Sequence, residues 1–92
     1  MEQIKRYKAV ITGNVQGVGL RVFVVDNASK LGITGWVRNM ADGTVEMEAQ
    51  GNSDKLDQLF ATIKKGNFII KVDNIDCTEI DSVEETSFII KY

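Results

Sequence analysis

Three glycines within seven residues precede an arginine in the run Gly13-Asn14-Val15-Gln16-Gly17-Val18-Gly19-Leu20-Arg21. Glycine admits backbone dihedrals that side chains forbid, so successive peptide N–H groups can turn toward one point and form a nest for an anion. Arg21 stands where the next apolar periodicity predicts that a helix begins. A fixed cation and the positive end of a helix dipole then converge, and a guanidinium fork matches the oxygens of a phosphate. The chemistry suggested is capture of one phosphoryl group. A Gly-rich turn can also simply join a strand to a helix, and a lone pair of glycines favours that plainer reading. Neither common nucleotide loop fits. Gly17-Val18-Gly19 lacks a third glycine at Val22, and no Gly-Lys-Ser/Thr triplet follows any glycine spacer.

A second candidate group is Asn39, in Gly35-Trp36-Val37-Arg38-Asn39. Its amide offers a donor and an acceptor, so it can hold a water molecule and aim the water oxygen at phosphorus. Asn is also a common first residue of a turn, and Asp42-Gly43 follows closely. The residue alone leaves both readings open. The lone Trp36 reads as core packing rather than a ligand platform, and Cys77 as an inert strand residue.

The elements that must position these groups follow from apolar spacing. Residues 4–12 alternate, with Tyr7, Ala9 and Ile11 on one face, and predict a central strand. Leu20, Val24, Ala28 and Leu31 recur at helical spacing, and Gly32 suits the position just past a helix end. The run Val22-Phe23-Val24-Val25 argues for a strand by propensity, but Asp26-Asn27-Ala28-Ser29-Lys30 breaks that pattern. Residues 33–40 and 44–50 predict a hairpin about Ala41-Asp42-Gly43. In its second strand Val45, Met47 and Ala49 face the core, while Glu46, Glu48 and Gln50 face water. Asn52 or Ser53 can cap a helix whose stripe is Leu56, Leu59, Phe60 and Ile63, ending at Lys64-Lys65-Gly66. Residues 69–72 and 75–80 read as extended, with a phase shift that predicts a bulge, and residues 86–92 as a short terminal strand. The order is βαββαβ plus a short strand, an α+β, ferredoxin-like split βαβ fold. Both helices should cover one face of a mainly antiparallel sheet whose first and third strands are central and whose second is an outer neighbour.

Ninety-two residues fit a single domain over 1–92. A net charge of −2 argues against a surface built for nucleic-acid phosphates. Histidine is absent and Cys77 is the single cysteine, which excludes a His general base, a Ser-His triad and His- or thiolate-bound metal clusters. Residues 1–6 have no hydrophobic signal core behind them, and no apolar run approaches the roughly 20 residues that span a membrane. The expectation is a cytoplasmic monomer with no cofactor, metal, nucleic-acid or membrane partner.

The loop as a whole resembles the signature of the acylphosphatases, G-x-V-Q-G-V-x-F-R, with Leu20 in place of the usual Phe. Gly35-Trp36-Val37-Arg38-Asn39, with Gly43-Thr44-Val45 and Gly51, resembles that family's second signature in residue type and spacing. Length and element order agree over essentially the whole chain. The resemblance implies hydrolysis of small acyl phosphates to a carboxylate and inorganic phosphate, with Arg21 binding the phosphoryl group and Asn39 positioning the water. Two departures stand out: Leu20 replaces an aromatic expected to pack beneath the loop, and the family's frequent Gly-Pro after the second helix is here Gly66-Asn67.

The chemistry agrees with the composition. A carboxylate leaving group, with a conjugate-acid pKa of about 4, departs without a proton, so no general acid is required. Phosphoryl transfer then demands chiefly positioning and charge stabilisation. Arg21 and the backbone donors of Val15, Gln16, Gly17, Val18, Gly19 and Leu20 could supply both without a metal. The alternative is a non-catalytic phosphate-binding regulatory module. An RNA-binding domain of this fold would need exposed aromatics and a basic face, and Lys5-Arg6-Tyr7 is too little.

Overall fold

The chain builds β1 (Ile4–Asn14), α1 (Leu20–Lys30), β2 (Thr34–Asn39), β3 (Val45–Asn52), α2 (Ser53–Lys65), β4 (Lys71–Ile80) and β5 (Phe88–Ile90). The computed structural model describes residues 3–92; Met1 and Glu2, which open the stretch read as lacking a signal core, lie outside the described residues. One sheet runs β4-β1-β3-β2-β5, antiparallel throughout except for the parallel β2–β5 pair. This is the expected ferredoxin-like fold with one change of position. β3 is the centre, and β2 is not an outer strand because β5 hydrogen-bonds along its far edge.

Burial decides the ambiguous segment in favour of a helix. Leu20, Val24 and Ala28 are buried at helical spacing, so packing outweighs the β preference of residues 22–25. Leu20, 1% exposed, is fully enclosed in the core that β1, β2 and β3 share with both helices. Ile33 N–H reaches back to Ala28 O at 2.9 Å to close α1. α2 buries Leu56, Leu59 and Ile63, while Phe60 meets Tyr7 edge to face at 6.2 Å. The expected bulge is present: Thr12 pairs with Asn74 but Gly13 with Val72, which leaves Asp73 unpaired within a single strand β4. That strand begins at Lys71, so Ile69 and Ile70, expected to be extended, lie in the connection before it.

The other face of the sheet departs from expectation. It is not wet. Arg6, 2% exposed, bonds Glu48 at 2.9 Å and Glu85 at 2.7 Å, and Glu46 is buried between Arg38 and Lys8. Gln50 exchanges two hydrogen bonds with the backbone of Val83, so residues 81–87 lie across this face. Burial alone would raise the Glu46 carboxyl, but bonds from Arg38 and Lys8 outweigh it and hold the group below the usual carboxylate range. Trp36 is also on this side: it is buried as expected, yet outside the apolar cluster, with Arg38 at 5.2 Å and Lys91 at 4.4 Å from its ring. Alternation marked the face but not its cover, because the partners lie more than 30 residues away in sequence.

Candidate active site

The loop between β1 and α1 owes its path to Gly17 and Gly19, whose φ angles of 72° and 79° place both in the left-handed region. Gly19 is the N-cap of α1, supplies no side-chain cap, and is followed by no acidic residue in the first turn. Among the described residues, the peptide N–H groups of residues 16–22 donate to no backbone carbonyl. A helix start normally leaves several N–H groups unpaired, and here no side chain among the described residues caps them. Of residues 16–22, Gly17, Gly19, Leu20, Arg21 and Val22 line a cavity of about 130 Å³, together with Val15, Asn39, Ile90 and Tyr92.

Each expected residue can be located against that cavity. Val15, Gly17, Gly19, Leu20 and Arg21 line it, and so does Asn39 from the end of β2. Gln16 and Val18 do not. Val18 packs against the core instead, and the Gln16 amide nitrogen donates to Met40 O at 2.7 Å and Thr44 O at 2.8 Å. Arg21 rests beside the Tyr92 ring, 5.5 Å from its centroid, and no carboxylate among the described residues pairs with it. Its charge therefore remains available to a ligand.

Asn39 does begin the connection to β3, as the plainer reading held, and it also lines the cavity. Met40 N–H donates to Thr44 O at 2.8 Å, while Asp42 accepts from the Thr44 hydroxyl at 2.7 Å and the Thr44 N–H at 3.0 Å. Those two bonds, the hydroxyl's first, hold the Asp42 carboxyl below its ordinary range. The connection is thereby a stiff mount for Asn39. Cys77 sits far off on β4, where desolvation and Asp76 push its thiol up, away from nucleophilic use.

Sequence reasoning missed Ile90 and Tyr92. The parallel β2–β5 register pairs Val37 with Ile90, and Lys91 N–H donates to Val37 O at 2.9 Å, so the chain after β5 runs beside the Asn39 end of β2. No local spacing signals that placement, since the two strands are separated by β3, α2 and β4.

The acylphosphatase family model matches residues 7–90. The chain belongs to the acylphosphatase family. It is 43% identical over 88 residues to an acylphosphatase of Clostridium beijerinckii, covering 95% of this chain and 98% of that one. It superposes on the crystal structure of acylphosphatase from Bacillus subtilis with a TM-score of 0.90 at 38% identity, covering 98% of this chain and 100% of the other. A full-length HypF solved in a phosphate- and nucleotide-bound form matches at 27% identity and TM-score 0.85, over 100% of this chain and 12% of that protein. No helix among the described residues is long and apolar enough to cross a membrane.

Proposed function

We propose that the chain, acting as an enzyme, hydrolyses small acyl phosphates to a carboxylate and inorganic phosphate, without a metal and by in-line attack of water. Family membership carries the reaction class. The roles within it rest on one observation: Arg21, Asn39 and the loop residues Gly17, Gly19 and Leu20, whose N–H groups have no backbone partner, line the same small cavity. The dianionic phosphoryl group binds the loop donors and the Arg21 guanidinium, which spread over its non-bridging oxygens. The Asn39 amide holds the attacking water by one group and fixes its distance from phosphorus. Water oxygen forms the new P–O bond as the P–O bond to the acyl group breaks. The carboxylate leaves with that electron pair, and a phosphate oxygen of the substrate receives the water's proton. A pure binding module would use the loop and Arg21; Asn39 on the cavity wall favours turnover.

The same reading takes residues 1–92 as a single-domain, cytoplasmic monomer with no nucleic-acid or membrane partner. The test is an assay of purified protein with acetyl phosphate and an alkyl phosphate monoester, each with and without chelator. Acyl phosphate should be cleaved far faster and independently of chelator. Equal turnover of both classes, or loss of activity in chelator, contradicts the metal-free mechanism. Phosphate binding with no turnover would make the chain a binding module.

A further inference from the structure

We infer that the Gln16 side chain is a positioning residue that locks the Asn39-bearing hairpin to the phosphate loop. The inference rests on the proposed reaction and adds a device to it. Gln16 lies inside the phosphate-loop sequence but does not line the cavity. Both atoms facing its amide, Met40 O at 2.7 Å and Thr44 O at 2.8 Å, are carbonyl oxygens, which identifies the facing atom as the nitrogen. Both N–H groups are thereby used, and none is left for a phosphate oxygen. The remaining Oε1 is an acceptor, which an anion would repel.

The two carbonyls are placed where a small shift matters. Met40 directly follows Asn39, and Thr44 directly precedes Val45, the residue paired with Asn39 across the hairpin. Gln16 therefore grips the chain on both sides of the Asn39–Val45 pair, while its neighbours Val15 and Gly17 line the cavity. One side chain joins the wall that holds phosphate to the wall that holds water. Each carbonyl also has a backbone donor, Gly43 N–H for Met40 O and Met40 N–H for Thr44 O. Removing the amide thus orphans neither oxygen, so folding should be little affected while alignment is lost.

The test uses Gln16→Glu, which keeps the shape but cannot donate as a carboxylate, and Gln16→Met, which keeps the length without charge. Both should lower kcat for acetyl phosphate by about 10- to 100-fold, the range expected when a reacting group is misplaced by ~1 Å. Inhibition by inorganic phosphate should stay within about threefold for Gln16→Met, because the loop N–H groups and Arg21 persist. Combined with Asn39→Ala, Gln16→Met should add no further loss, as expected for two residues acting through one function. In Gln16→Met, phosphate affinity falling as much as kcat would mean that the side chain touches the phosphoryl group, and losses that multiply with Asn39→Ala would mean independent action. Either result overturns the proposal, as does unchanged kcat.

A second readout does not depend on turnover. In a phosphate titration followed by amide NMR, Gly17, Gly19 and Arg21 should shift together with Met40 and Thr44 in wild type. In Gln16→Met the loop signals alone should respond. Coupled shifts in an inactive wild type would remove the enzyme reading and leave the lock intact. Coupled shifts that persist in Gln16→Met remove the lock.

Discussion

The two helices of this fold begin in opposite ways. At the start of α2, Asn52 accepts the Asp54 N–H at 2.9 Å and Asp54 adds a negative charge to the first turn. At the start of α1, Gly19 offers no side chain, and no acid follows. Both ends carry the same partial positive charge from aligned peptides. At α2 the chain neutralises it; at α1 the charge is left beside Arg21 and a cavity. The two starts thus differ in which side chains cap them, not in the helix dipole.

That contrast can be broken most severely at its cation. Arg21→Ala should weaken phosphate binding and reduce turnover by at least ~10³-fold, the scale of an arginine serving a transferring phosphoryl group. Arg21→Lys retains charge without the planar fork and should remain severely impaired. Asn39→Ala should reduce kcat about 10²-fold with phosphate affinity nearly unchanged, because it is assigned to water. Steady-state kinetics with phosphate as competitive inhibitor separates the two. Unfolding of Asn39→Ala would reduce Asn39 to a hairpin residue.

A subtler change makes α1 resemble α2. Val22 lies in the first turn of α1, borders the cavity and is 56% exposed, so Val22→Asp removes little core. Its carboxylate should stabilise the helix by about 0.3–1 kcal/mol through the dipole. The same charge should oppose phosphate by roughly 1 kcal/mol, a several-fold rise in KM. Opposite signs in thermal unfolding and in KM would show that the first turn is kept free of acid for ligand binding. Unchanged KM would move the phosphate away from the helix start. The smallest effect belongs to the other helix: Asn52→Ala should cost about 1 kcal/mol of stability, read by denaturant unfolding, and leave kcat and KM alone.

Much of this molecule is legible without coordinates, and the reason is local. The stripe of Leu56, Leu59 and Ile63, the glycines at 17 and 19, and Arg21 at the helix start all express preferences acting within a few residues. The bulge opposite Thr12 and Gly13 showed as a slip of apolar phase for the same reason. The alternation of Glu46, Glu48 and Gln50 was read correctly as one face, but its surroundings were not. Arg6 finds Glu85 79 positions away, and no period encodes such a meeting.

By itself, the order of residues determined which groups could do chemistry: a nest-forming loop, Arg21 and Asn39, in a chain without histidine. It also determined the seven elements to within a few residues, since burial patterns and helix ends are short-range signals. Only tertiary structure decided that β5 would run parallel to β2 and bring Ile90 and Tyr92 to the cavity. It also decided that the Gln16 side chain would bond the hairpin instead of lining the cavity. A side chain with free rotamers takes its partners from whatever the closed sheet brings within reach, and that proximity exists only once the strands have paired.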